Sequence, residues 1–481
     1  MCGFIGIIGP ENVAFELFNG LLQIQHRGQD GCGILTFDGD ALHMKKGPGL
    51  VSECFNSVNL HELKGNIGIG HVRYPTIGSD VRRDAQPIQT GYPYGIGMAH
   101  NGNTVNYDEL RKHLMGECHR QIRTNCDAEL ILKLFATELS KANGNGLNPE
   151  IIFDAISKTM ERLNGSYSVV TLIAREGLLA FRDPHGIRPI IWGKRVVDGK
   201  DQHIFASETV VLDVLGYKVV KDLEPGEAVF ISKDGVVTTK SIKKEQRRHC
   251  MFEWVYFARP DSVIEKHGVY EARLELGRML AKEWMKKKIE VDVVIPAPDT
   301  SRTAALTFAT EIGVPYREGL IKNRYVGRTF LMPTQKNRES AVRTKLNPVI
   351  KEISGKRVAL VDDSIVRGTT SKRIIQMLRE VGAKEVHFLS SCPPLTEPCY
   401  YGVDFPTKDE LIASGLSVDE IAKKIGADSL TYQTIDGLVE STGMPKENLC
   451  LACLNGEYPT DIKKYADLLD KCRKCERGED N

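Results

Sequence analysis

Apolar and polar residues follow two different rhythms along this chain, and the change from one to the other falls near residue 250. Before it, short aliphatic runs recur: FIGIIG at 4–9, NIGIGHV at 66–72, SYSVVTLIA at 166–174, LLAFR at 178–182 and RPIIW at 188–192. Runs of that length, bounded by glycine and polar residues, predict strands. Between them Val13, Leu17, Leu21 and Ile24 are spaced to share one face of a helix. Sheets covered by helices accommodate this mixture better than a simple βαβ series does. SKDGVVTTKSIKKEQRRH, at 232–249, is polar and basic without an apolar period, and predicts a solvated passage between domains.

After 250 the pattern is strand, helix, strand. VDVVIPAP at 291–298 leads into a helical stretch, and VALVDD at 358–363 leads into TTSKRIIQMLREVG. There Ile374, Ile375, Met377, Leu378 and Val381 form an apolar face, Gly382 is placed to close the helix, and EVHFLSS at 385–391 resumes a strand. This spacing predicts βαβ units on a parallel sheet. Ser417 and Glu420 form a capping box for a short helix that Gly426 ends. The expected organisation is one domain over 1–235, a second over 250–450, and a C-terminal segment over 450–481.

Composition narrows the class. With 481 residues, 41% hydrophobic and 26% charged, the chain is long enough for two or three globular domains. Its formal net charge of +1, from 64 Lys plus Arg against 63 Asp plus Glu, gives no global reason to expect a nucleic acid or a membrane surface as partner. The apolar start lacks a basic leader and is broken by Pro10, Glu11 and Asn12, so no signal peptide or membrane span is expected and the protein reads as cytosolic. In that compartment, clustered cysteines among the 12 present suggest metal or catalysis instead of disulfides.

The stretch VALVDDSIVRGTT, 358–370, brings Asp362 and Asp363 to the C-terminal end of a buried strand, then turns through Gly368 into a helix starting at Thr369, Thr370 and Ser371. Ligands of open α/β sheets bind at that edge. Loop amides and a helix N-terminus favour phosphate, while carboxylates favour ribose hydroxyls or Mg²⁺, so a sugar phosphate satisfies both. The stretch resembles the phosphoribosyl pyrophosphate (PRPP) motif of type I phosphoribosyltransferases. The resemblance implies that Asp362 and Asp363 face the ribose and its Mg²⁺, with Thr300 of the upstream PDTSRTAA, and that the 364–370 loop, including Ser364, Arg367, Gly368, Thr369 and Thr370, wraps the phosphate. The segment 321–347 carries Lys322, Arg324, Arg328, Lys336, Arg338, Arg343 and Lys345 with little apolar period, and reads as a lid over a polyanion. Lys322, Tyr325 and Arg328 are its expected PRPP contacts.

In the first half, Cys2 follows Met1 directly, and GHVRYPT (70–76), AHNG (99–102) and TNCDAE (124–129) come in order behind it. This set resembles the glutaminase domain of the N-terminal-nucleophile amidotransferases. The resemblance implies that Cys2, freed at its α-amine by loss of Met1, attacks the glutamine side-chain amide. Arg73 would grip the substrate α-carboxylate, Asp127 its α-ammonium, and Asn101 with the Gly102 amide would form the oxyanion hole. His71 and His100 also allow a Cys–His protease reading or plain core packing.

Together the halves resemble the glutamine PRPP amidotransferase family over about residues 1–460. That implies an N-terminal four-layer αββα domain followed by a doubly wound parallel-sheet transferase. It also implies ammonia passed internally to PRPP to give 5-phosphoribosylamine, glutamate and pyrophosphate, feedback by purine nucleotides, and a homotetramer. A PRPP-sensing regulator that binds nucleic acid, and a coupled transferase with another product, are the alternatives. Cys250, Cys392, Cys450 and Cys453, in HCMFEW, SSCPP and CLACLNG, resemble the branch whose four thiolates hold a 4Fe–4S cluster. Cys450-x₂-Cys453 followed by Cys472-x₂-Cys475 also fits a zinc ribbon, and buried cysteine without metal is a third reading.

Overall fold

The computed structural model describes residues 1–74, 81–141, 146–323 and 346–477. Over these, the first rhythm builds two antiparallel sheets packed face to face. The seven-stranded sheet holds Gly3–Ile8 between Ile67–Arg73 and Lys200–Ala206, and the six-stranded sheet holds Ile96–Thr104 beside Gly165–Ile173. Phe4, Leu35 and Ile69 from the first meet Val170, Leu178 and Val229 from the second in a dry interior.

Helices cover both outer faces. Ala14–Gln23 and Thr209–Leu215 lie on the seven-stranded sheet, Asp127–Leu139 and Pro149–Arg162 on the six-stranded one. The alternate glycines of NIGIGHV make room for the first helix: a Cβ on Gly68 would lie 2.7 Å from Leu17 Cδ1, and one on Gly70 3.0 Å from Leu21 Cδ1. The result is the expected order of helix, sheet, sheet, helix.

Two expectations change here. RPIIW enters a strand only at Ile191, and Arg188 at its start is fully buried. The stretch 232–249 contains a strand, Val237–Ser241, paired antiparallel with Glu227–Ser232, so the first unit continues past residue 235. Arg247 in the same stretch is no solvated charge, since it pairs with Glu265 and, at 2.7 Å, with Glu224.

The second unit is a four-stranded parallel sheet in the order Val293–Pro296, Arg357–Asp362, Glu385–Ser390, Ser429–Tyr432. Val269–Met285 and Arg302–Ile312 pack on one face, Thr369–Glu380 and Val418–Ile425 on the other, as a doubly wound fold requires. Leu449–Cys450 runs parallel to His249–Cys250, tying the chain's end to the junction between units. Among the described residues no helix is long and apolar enough to cross a membrane.

Candidate active sites

Pairing sets the first site. Gly3 lies opposite Val72, which places Cys2 beside the end of the strand that carries Arg73, and the half-buried Cys2 Sγ lies 3.5 Å from the Tyr74 carbonyl oxygen. Met1 is present and buried, so the Cys2 nitrogen is in a peptide bond. Burial, with help from Arg188 and Arg27, pushes the Met1 α-amine down to about 5.

Arg73 is buried with its Nη2 3.5 Å from Asp84 Oδ2, and the other Asp84 oxygen accepts the Asn125 N–H at 3.1 Å. Asp84 thereby links Arg73 to the TNCDAE turn. Asp127 opens the following helix; its Oδ2 accepts the Thr104 N–H at 3.0 Å and its Oδ1 lies 3.6 Å from His100 Nδ1. Glu129, buried, accepts the Arg123 and Thr124 N–H groups and the Thr124 hydroxyl, holding the turn itself. The chemistry of the motif is therefore divided. Asp127 fixes the Ile96–Thr104 strand and Glu129 shapes the loop.

Asn101 is 1% exposed, and its Nδ2 has no hydrogen-bond partner among the described residues. A buried amide donor without an acceptor costs on the order of 1–3 kcal/mol, which a transient oxyanion would offset. Gly102 sits at φ +152°, and a Cβ there would fall 2.0 Å from the Ser166 carbonyl oxygen. The glycine is thus required by the neighbouring strand, whatever the ligand needs. His71 packs between the sheets with Nε2 3.2 Å from the His100 carbonyl oxygen, and burial, with Arg73 and His100 beside it, lowers its pKa well below the usual value. That neutral, interior imidazole matches the core-packing reading.

The second site forms at the C-terminal edge of the parallel sheet. Asp362 Oδ1 accepts the Asp363 N–H at 2.8 Å, and Ser364 Oγ donates to Asp363 Oδ1 at 2.7 Å. Burial pushes the Asp363 carboxyl up to about 6; burial and the Asp363 charge raise Asp362 well above the carboxylate range. Two carboxylates strained in this way favour a cation or hydroxyl donors between them. Gly368, at φ +76°, caps the helix that Thr369 and Thr370 begin, both exposed at its first turn.

Across the edge, Thr300 is half-buried in the turn before Arg302–Ile312, and Lys322 Nζ reaches Asp299 Oδ2 at 3.0 Å. Arg367 Nε donates to Glu410 Oε1 at 2.7 Å. Tyr325, Arg328 and the rest of residues 324–345 of the lid expected over 321–347 lie outside the described residues; on either side of them Leu320–Lys322 and Leu346–Pro348 pair as an antiparallel ladder.

Cys250, Cys392 and Cys450 are buried in one apolar cluster, with Cys453 packed against it, and Cys399 belongs to it as well. Cys250 and Cys450 are direct cross-strand partners. Burial pushes the Cys250 thiol up to about 11 and raises Cys392, Cys450 and Cys453 further. By residue type and shared burial the set suits a cluster. Even so, among the described residues no group of three or more His, Cys, Asp or Glu converges as a ready metal site. The side chains of Cys472 and Cys475, on which the zinc reading depends, lie outside the described residues.

Residues without a sequence signal join the two units. Arg27, fully buried, donates to Glu208 and, at 2.5 Å, to Glu253 Oε2, while Arg188 Nη1 lies 3.6 Å from Glu253 Oε1. Glu208 also accepts the Arg259 N–H at 2.9 Å and the Ser262 hydroxyl at 2.7 Å. Buried charges of this kind carry no periodicity.

A family model described as a glutamine amidotransferase domain matches residues 71–214, and one described as a phosphoribosyl transferase domain matches 270–420. Amidophosphoribosyltransferases of Pseudomonas aeruginosa and Escherichia coli are each 46% identical over 98% of this chain and 96% of their own length. That of Methanothermobacter thermautotrophicus is 45% identical over 99% of this chain and 98% of its own. The solved B. subtilis glutamine PRPP amidotransferase, complexed with ADP and GMP, superposes with a TM-score of 0.86 at 40% identity, covering 97% of this chain and 100% of that one. Both halves, in this order and at this coverage, leave a nucleic-acid-binding regulator without support: the chain belongs to the amidophosphoribosyltransferase family, the glutamine-dependent transferases that aminate PRPP at the first step of purine synthesis.

Proposed function

We propose that the residues assembled above divide the reaction as follows. With Met1 removed, the Cys2 α-amine takes the thiol proton and the sulfur attacks the side-chain amide carbon of glutamine. Asn101 Nδ2 and the Gly102 N–H hydrogen-bond the oxyanion; collapse to the thioester releases ammonia, and water then frees glutamate. Arg73 and Asp127 hold the α-carboxylate and α-ammonium.

At the second site, Asp362 and Asp363 hold the ribose hydroxyls, and the 364–370 loop holds the phosphate. Ammonia attacks C1 of the ribose, the bond to pyrophosphate breaks, and a proton leaves the new amine. Passage inside the protein keeps the nitrogen lone pair from protonation in bulk water. Mg²⁺, held by Asp362, Asp363 and Thr300 together with substrate oxygens, would neutralise the departing pyrophosphate. Cys250, Cys392, Cys450 and Cys453 would hold a 4Fe–4S cluster as a structural pin. Feedback by purine nucleotides, a homotetramer and a cytosolic location complete the reading.

The observation that carries it is the buried Asn101 amide, without a hydrogen-bond partner among the described residues, on the Ile96–Thr104 strand that packs from the second sheet against the nucleophile's Gly3–Ile8 strand in the first. The test is pyrophosphate release from PRPP on anaerobically purified protein, with glutamine or ammonium, alongside iron content. Release with either nitrogen source and about four iron atoms per chain are expected from the cluster stoichiometry. Zinc in place of iron would overturn the cluster, and release without any nitrogen source would overturn the coupling.

A further inference from the structure

We propose that the Tyr400–Gly402 turn of the transferase unit is a positioning element for the oxyanion strand of the glutaminase unit, with Gly402 its principal positioning residue. The inference rests on the reading of Asn101 and Gly102 given above.

The chain from Ser391 to Gly402 leaves the parallel sheet at the PRPP edge. Its first residues are tied to the carboxylate pair: the Ser391 N–H donates to the Asp362 carbonyl oxygen at 2.9 Å, and the Cys392 N–H to that of Asp363 at 2.8 Å. Its middle is anchored to the C-terminal segment, where the Thr396 and Glu397 N–H groups share the Cys453 carbonyl oxygen at 3.1 and 3.2 Å, and Tyr458 donates to the Pro398 carbonyl oxygen at 2.7 Å. Its end crosses into the other unit. Asn103 Nδ2 donates to the Tyr400 carbonyl oxygen at 2.9 Å; the Tyr401 carbonyl oxygen accepts Ser166 Oγ at 2.8 Å and Arg188 Nε at 2.9 Å.

Gly402 then lies against Gly102 itself. At φ +99°, a Cβ on Gly402 would stand 2.8 Å from the Gly102 carbonyl oxygen and 3.3 Å from its Cα. The residue must be glycine for its conformation and for its neighbour at once. Asn103, Ser166, Tyr400 and Tyr401 are all buried, so water cannot substitute for a lost contact. Gly102 is thus clamped between Ser166 of its own sheet and Gly402 of the other unit. Oxyanion donors work only when held to within a fraction of an ångström. The strap therefore sets the barrier for glutamine cleavage, while Arg73, outside it, sets substrate affinity.

The test compares Gly402→Ala with the unaltered full-length enzyme. We expect the glutamine-dependent kcat to fall about 10- to 100-fold, with the KM for glutamine within about threefold and ammonium-dependent pyrophosphate release within about twofold. If Gly402→Ala does not fold, Ser166→Ala, which adds no atom, is expected to show the same split with a drop of about three- to tenfold. An unchanged glutamine kcat, a loss confined to KM, or a parallel fall of both activities overturns the proposal. A Cys2→Ala control separates the two claims: glutamine turnover surviving in it sinks the underlying reading and this one with it, whereas the outcomes above sink the positioning role alone.

Discussion

Asp362 and Asp363, at the proposed ribose site, illustrate how burying a carboxylate destabilises a fold. Burial lifts the Asp363 carboxyl to about 6, against an ordinary unfolded value of about 3.9. Between those two values the native state binds a proton that the unfolded chain has released, so this residue's contribution to stability falls as pH rises through the window. Asp363→Asn removes that dependence. In substrate-free protein at pH 8 the variant should be more stable by on the order of 1–3 kcal/mol in urea unfolding, while PRPP turnover falls by about a hundredfold or more. A stability gain absent at pH 8, or present equally at pH 4, would contradict the assignment. These carboxylates were legible in the sequence because a strand-loop-helix pattern frames them. Asp84 and Glu129, which hold Arg73 and the TNCDAE turn, were not, since a buried carboxylate that accepts backbone N–H groups looks like any surface acid until the fold brings its partners to it.

At the level of elements, the turn from the Arg357–Asp362 strand into the Thr369–Glu380 helix depends on one position. Gly368 has φ +76°, and a Cβ there would come 2.5 Å from Ile412 Cδ1. Gly368→Ala should cost about 1–2 kcal/mol of stability and raise the KM for PRPP about tenfold, with glutamine hydrolysis unchanged. Steady-state kinetics at varied PRPP checks it; an unaltered KM would remove the loop from phosphate binding. Elements marked by caps were readable in advance, as with Ser417, whose N–H bonds Glu420 Oε2 at 2.8 Å, and Gly426 in the left-handed conformation beyond the helix. Val237–Ser241 was not readable. It is an edge strand, mostly exposed, and its Thr-Thr-Lys-Ser run has no inward apolar residues to betray a period of two.

For the whole molecule, the motifs announced two units but said nothing of how they meet. The meeting is polar and buried: Arg27 joins Glu208 of the first unit to Glu253 just beyond its end, and Arg188 reaches both Glu253 and the Tyr401 carbonyl oxygen. Removing one member of such a set leaves cations without their counter-charge, so Glu253→Ala should destabilise by about 3–5 kcal/mol. Equilibrium urea unfolding measures this, and a loss under about 1 kcal/mol would mean that the seam is held by other contacts. Joined in this way, the two sites are expected to exchange ammonia without releasing it, and the nucleophile that makes it is the claim on which the account turns. The most direct measurement is product formation by Cys2→Ala with each nitrogen source in turn. The account predicts that glutamine-dependent 5-phosphoribosylamine synthesis disappears while ammonium-dependent synthesis persists; glutamine-driven turnover at the unaltered rate would contradict it.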